Sequence, residues 1–243
     1  TKLWQAHGTL LDAKQLVVVE DLERYSPEDL SPPSRQLLSH SRAWQLEKQR
    51  RLNEAIALAD ALLQSIDTQL GSIAGAATLR RELLEKTSHL LDNLLFEAPT
   101  DPALMRTRMV AHHRRGDLAL SHDRLNDAQR EYQAAMELAA MLARPQPHSA
   151  LAQNDLAASW NRLGKVWGKL GQLTEAAAAH QQAIAVIQKL TLQGSLDYQS
   201  QHHLAFSFDW AGKVALWQCQ LIEAAAAHQQ AKTALAQLVQ NDP

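Results

Sequence analysis

The chain has 243 residues, 46% of them hydrophobic, which is enough apolar material for one large or two small packed cores. A formal net charge of -2 and a pI near 6.6 give no overall basic surface to favour nucleic acid or an anionic membrane. The single cysteine, Cys219, excludes an internal disulfide, and the sequence shows neither a signal peptide nor an apolar run long enough to span a bilayer.

In residues 1–34, Leu10, Leu11, Leu16, Val19 and Leu22 follow a helical pattern, while Val17, Val18 and Val19 in succession suit a short strand equally. Ser26-Pro27-Glu28-Asp29 and Ser31-Pro32-Pro33-Ser34 each read as a Ser cap with Pro at the first helical position. From about Arg35, the apolar face Leu37, Leu38, Trp44, Leu52, Ala55, Ile56, Leu58, Ala59, Leu62, Leu63 and Ile66 predicts one long amphipathic helix ending near Gly71. A second, from Thr78 to Glu97, turns Leu79, Leu83, Leu84, Leu90, Leu91, Leu94 and Leu95 inward. Together they predict a long helical hairpin over 35–98, closed by Pro99-Thr100-Asp101-Pro102.

Beyond that break the chain repeats itself. Residues 175–183 read Glu-Ala-Ala-Ala-Ala-His-Gln-Gln-Ala, and the same residues return at 223–231, 48 positions on. The register extends outward: Leu156 falls on Leu204, Ser159 on Ser207, Gly164-Lys165-Val166 on Gly212-Lys213-Val214, and Leu190 on Leu238. A weaker copy lies 48 residues earlier, with Gly116, Leu118, Leu125, Ala128, Ala135 and Leu142 in the places of Gly164, Val166, Leu173, Ala176, Ala183 and Leu190. Repeats of this length point to a solenoid, with copies at 101–145, 149–193 and 197–240 joined by polar turns such as Arg144-Pro145-Gln146-Pro147. Two antiparallel helices approach closely where a small residue removes the side chain. Gly164 on the first helix and Ala176 and Ala183 on the second supply such crossings, with Gly212, Ala224 and Ala231 as their equivalents. Trp160, Leu163 and Trp167 fill the gaps between, and His180 and His228 take the place of a bulky packing residue on the second helix.

The spacing Trp160-x-x-Leu163-Gly164-x-x-Trp167, followed by Ala176, His180 and Ala183, resembles the tetratricopeptide repeat. That resemblance implies an all-α, right-handed superhelix of antiparallel helix pairs. The family's usual period is about 34 residues with a closing Pro; the longer period and absent Pro here imply helices longer by roughly two turns each. In the last copy Phe208, Ala211 and Ala215 stand for Trp160, Leu163 and Trp167, which suits a looser terminal cap. Long-period repeats of this kind are similar to those in the C-terminal regions of bacterial signalling proteins: Ser/Thr kinases, STAND-type NTPases and TIR-domain proteins. The chain therefore reads as a non-catalytic piece of something longer.

The family's binding residues lie on the inner face of the first helices. Carried over position by position, they are Val110, His113, Asp117, Leu120 and Ser121, then Ala158, Asn161, Lys165, Gly168 and Lys169, then Phe206, Asp209, Lys213, Leu216 and Trp217. The family's carboxylate clamp is not matched, since Asp209 stands where a base or Asn is wanted. Asn161, Lys165 and Lys169 climb one helix face, with Lys213 expected beside Lys165, and such a groove suits an acidic peptide anchored by Phe206, Leu216 and Trp217. Solvation of an ordinary helix face is the plainer reading of the same lysines.

No phosphate-binding Gly-rich loop, kinase motif or nucleophile–base–orienter set is present, so no enzyme activity and no cofactor are expected. His112, His113 and His122, or His202 and His203, lack acid or Cys partners at ligand spacing, so no metal is expected either, and His113 and Asp117 suit a polar pair one turn apart. The expected function is a protein-interaction scaffold for a protein or peptide partner. The alternative is a ligand-sensing or self-association domain regulating an attached effector, in which Trp160, Trp167, Trp210 and Trp217 would line a pocket. The compartment stays open between cytoplasm and periplasm.

Overall fold

The computed structural model describes residues 32–70, 73, 75–98, 100–192 and 197–241, together with Val17, Asp21 and Arg24. The helix-or-strand run at Leu10–Leu22, apart from Val17 and Asp21, and the caps at Ser26 and Ser31 lie outside the described residues. Eight long helices are described and no strand among those residues, so the fold is all-α. They are α1 (Pro32–Leu70), α2 (Ala77–Glu97), α3 (Pro102–Ser121), α4 (Leu125–Ala143), α5 (Ala150–Lys169), α6 (Leu173–Leu192), α7 (Tyr198–Trp217) and α8 (Leu221–Asn241).

Contacts divide the chain into two units, 1–58 and 59–243. In the first unit, the part of α1 up to Leu58 buries Leu38 and Ser41. On its exposed side Glu47 accepts from Arg50 at 2.9 Å and Arg51 at 2.8 Å, and these two guanidinium groups hold its carboxyl down to about 2.

In the second unit, successive helices from α2 to α8 pack in sequence, and α5 also lies against α3 and α7, which gives a solenoid-like stack of helix pairs. The 48-residue period governs its local chemistry. Each first helix starts at the same repeat position, where a side chain accepts a backbone N–H and satisfies one of the orphan donors of the first turn. Asp101 accepts from Leu104 at 2.9 Å, Ser149 from Ala152 at 3.3 Å and Asp197 from Ser200 at 2.7 Å. Each first helix also ends alike. Arg124, Gln172 and Gln220 donate backbone N–H bonds of 2.9 Å to the carbonyls of Ala119, Trp167 and Ala215. One residue earlier, Asp123, Gly171 and Cys219 donate to Leu120, Gly168 and Leu216. These paired bonds form a Schellman turn, which demands a left-handed residue, and Asp123, Gly171 and Cys219 supply it with φ of 57°, 77° and 62°.

Within each pair, a glycine of the first helix receives a ring from the second. A Cβ at Gly164 would lie 2.6 Å from His180 Nε2 and one at Gly212 2.7 Å from His228 Cε1, and Gly116 meets Tyr132 in the same way. The small residues expected at the crossings, Ala176, Ala183, Ala224 and Ala231, are all buried. His180 is fully buried as a packing residue, whereas His228 is partly open. Leu163 and Val166 pack with Tyr132, Ala119 and Ala128, and the indoles of Trp160 and Trp167 lean on that cluster. Such side chains contribute about 1.5–3 kcal/mol each when fully buried.

Candidate partner-binding surface

Consecutive first helices lie side by side, and a ladder of buried hydroxyls joins them. His113 Nε2 and Ser159 Oγ share a hydrogen bond of 3.0 Å, Ser200 Oγ donates to Asn154 Oδ1 at 2.9 Å, and Ser207 Oγ lies 2.9 Å from Asn161 Oδ1. His180 Nδ1 also meets Asn161 Oδ1, at 3.1 Å, which makes that nitrogen the donor. The expectation that Asn161 is exposed on the inner face is therefore corrected. Its amide is buried in the seam between α5 and α7, because close helix packing leaves no solvent on that flank. His113 and Gly168 are buried for the same reason, and Trp217 covers Gly168. His113 does not pair with Asp117; that carboxylate accepts from Tyr132 Oη at 2.7 Å and faces Arg162 Nε at 3.4 Å.

Lys165 and Lys213 do come together. Their ammonium groups lie 5.7 and 4.7 Å from the ring centre of Trp210, and Lys213 also donates to Asp209 at 2.6 Å. Burial lowers the pKa of Lys165, and Lys169, Arg162 and Lys213 push the same way against Asp117. Trp210 stacks on His180 at 6.1 Å and meets Phe206 at 6.1 Å and Trp217 at 6.3 Å. Leu216 and Trp217 keep exposed edges, and Lys169 is exposed.

Beside this cluster lies a groove of about 480 Å³ across α3, α5 and α7. Val110 and the buried side chains of His113 and Ala158 line it, together with Arg106, Arg114, Asp155, Arg162, His202 and His203, none of which the inner-face expectation included. A signal was available for two of them, since Arg114 and Arg162 are one period apart. Arg106 grips Asp155 through two bonds of 2.6 and 3.2 Å. Burial holds His203 down to about 4 and His113 well below its usual value, so both rings are neutral at pH 7 and the fixed charge is that of the guanidinium groups.

His112 Nδ1 lies 2.8 Å from Glu131 Oε2, and His202 and His203 meet edge to face at 5.9 Å. Among the described residues no three His, Cys, Asp or Glu side chains converge as metal ligands, and no helix is long and apolar enough to cross a membrane.

No protein-family model matches the chain, and no curated protein matches it. Among solved structures it is similar to BtubC (BKLC) from P. vanneervenii, with a TM-score of 0.50 at 18% identity over 95% of this chain and 91% of that chain. At that identity the likeness is one of fold.

Proposed function

We propose that the chain is a tetratricopeptide-type interaction module that holds an extended acidic segment of a protein partner in the groove across α3, α5 and α7. In this reading it is the non-catalytic repeat region of a larger signalling protein. The observation that carries the reading is the groove itself, about 480 Å³ and lined by Arg106, Arg114 and Arg162, of which Arg106 is held by Asp155 and Arg162 faces Asp117. A carboxylate entering it exchanges water for guanidinium groups in a partly dehydrated setting, where the attraction exceeds that in bulk solvent. Lys165 and Lys213 on Trp210 extend the positive surface along α5 and α7, and the exposed edge of Trp217 offers an apolar anchor beside them.

The test is capture from a lysate by the intact chain beside a variant carrying Lys165→Glu, Lys213→Glu and His202→Glu, with equal helicity verified by circular dichroism. A protein retained by the first, lost by the second and released by rising salt is the expected result. Equal retention by both chains would remove the groove from the binding function.

A further inference from the structure

One seam between successive helix pairs is filled differently from the next. Between α4 and α5, Leu163 is fully buried with Ala119, Ala128 and Tyr132, and Trp167 packs against that cluster. One period earlier, where α3 meets α2, the positions of Leu163, Trp167 and Tyr132 hold Arg115, Ala119 and Leu84. With Ala in place of Trp, a cavity of about 170 Å³ remains among α2, α3 and α4, and Arg81, Arg115, Arg124 and Arg130 line it. Three of its charged positions are apolar in both later copies. Arg115 is replaced by Leu163 and Ala211, Arg130 by Ala178 and Ala226, and Glu131 by Ala179 and Ala227. Packing of the repeat therefore does not call for these charges, and holding them in a helix seam costs desolvation that an apolar filling avoids.

Two carboxylates of the cavity are engaged in holding its arginines. Glu131 takes Arg115 at 2.7 Å on one oxygen and His112 at 2.8 Å on the other. Asp127 takes Arg130 at 2.5 Å and faces Arg124 at 3.5 Å. Each pair uses one N–H of a guanidinium that carries five, so most of the donors stay open. Arg81 has no partner among the described residues, and Glu85, the third carboxylate of the lining, is exposed. Four guanidinium groups against three carboxylates leave one positive charge uncancelled. A second hollow of about 280 Å³ adjoins the cavity, sharing Arg81, Leu118 and Arg124 and reaching Thr78 and His122. It lies at the start of α2, where Ala76 provides no side-chain cap, so the N–H groups of the first turn still want an acceptor.

We propose that this cavity is an oxyanion site that takes a phosphate group, free or carried on a small phosphoester, between Arg81, Arg115, Arg124 and Arg130. The four guanidinium forks come from α2, α3, α4 and the turn between α3 and α4. They match an anion with several oxygens, whereas a carboxylate offers too few acceptors for all four. The uncancelled charge has the sign such a ligand needs, and the adjoining hollow gives room for the body of a phosphoester. No residue lines both this cavity and the groove across α3, α5 and α7, so the site is independent of the proposed partner groove.

The experiment is a calorimetric titration of the full chain with inorganic phosphate at fixed ionic strength, with glycerol phosphate as a second arm. One-to-one saturation is expected with a dissociation constant of about 1 mM or tighter, weakened about tenfold by Arg81→Glu or Arg124→Glu, both exposed side chains. Two controls should leave the titration unchanged: Lys189→Glu on α6, which makes the same change in charge outside the cavity, and His202→Glu in the groove. Circular dichroism verifies that all four variants keep the helicity of the native chain. Tighter binding of glycerol phosphate assigns the site to a phosphoester whose body fills the adjoining hollow, and tighter binding of inorganic phosphate assigns it to the free anion; either supports the proposal. No saturation up to about 20 mM phosphate overturns it. Binding indifferent to Arg81→Glu and Arg124→Glu, or weakened as much by Lys189→Glu or His202→Glu, overturns it as well.

Discussion

The imidazole of His180 occupies the space where Gly164 lacks a side chain: a Cβ there would stand 2.6 Å from Nε2 and 2.7 Å from Cε1. His180 is fully buried with its Nδ1 tied to Asn161, so the ring has nowhere to retreat. Gly164→Ala should therefore lower stability by about 1–2 kcal/mol, because overpacking outweighs the roughly 1 kcal/mol that Ala gains in helix propensity. Gly212→Ala meets the half-exposed His228, which can swing outward, and should be near neutral. Urea unfolding of the two variants checks the contrast, and equal midpoints would contradict it.

The turns that end α3, α5 and α7 give a second contrast. All three need a left-handed residue, yet only the middle one has glycine; Cys219 stands at φ 62°. Cys219→Gly should stabilise the chain by up to about 1 kcal/mol, the penalty a side chain carries in that region less the extra freedom of glycine in the unfolded chain. Gly171→Ala should lose a similar amount even though nothing lies within 4 Å of its would-be Cβ. Thermal unfolding of both variants decides whether conformation or packing sets the effect.

These turns show what was legible in the sequence. The 48-residue offset marked Gly164 as a helix crossing and His180 as a packing residue, because both repeat as Gly212 and His228, but not that the glycine receives the ring. It did not expose the turn at Cys219 or Asp123, where backbone bonds and not residue identity enforce the geometry. The inner face was harder. Asn161 and Lys165 are one turn apart on α5, but only the structure shows that the neighbouring helix α7 covers the first and leaves the second half-open, since crossing geometry is not written in the spacing of one helix. Arg106, His202 and His203 come together from α3 and α7 for the same reason.

Acid should destabilise the fold before its carboxylates protonate. Burial depresses the pKa of His180 to about 4 and, with neighbouring positive charge, that of His203 to about 4, while the unfolded rings titrate near 6.5. Between those values the unfolded chain binds protons the folded chain does not, so the stability these rings contribute is complete above pH 6.5 and is lost as pH falls toward 4. For His180 alone the loss by pH 4 is on the order of 3 kcal/mol. The melting temperature should fall across that window, and less steeply in His180→Tyr, which places at this position the residue that Tyr132 provides one copy earlier. Identical slopes for the two chains would show that His180 does not titrate with unfolding.

The seam between α5 and α7 should behave as one unit. Asn161 Oδ1 receives both Ser207 Oγ at 2.9 Å and His180 Nδ1 at 3.1 Å, while its Nδ2 reaches the carbonyl of His203 at 3.4 Å. Removing the amide strands a buried imidazole N–H whose second nitrogen, Nε2, already lacks a partner among the described residues. Asn161→Ala should thus lose about 2–4 kcal/mol, more than one neutral hydrogen bond is worth, because a stranded buried donor carries its full desolvation penalty. Ser207→Ala should lose only about 1 kcal/mol, since Asn161 keeps its other contacts. Combined, the two losses should fall short of their sum by about 0.5–1 kcal/mol, the coupling of a shared acceptor. A double-mutant cycle in urea measures that difference, and strict additivity would mean that the hydroxyl and the amide act independently despite their distance.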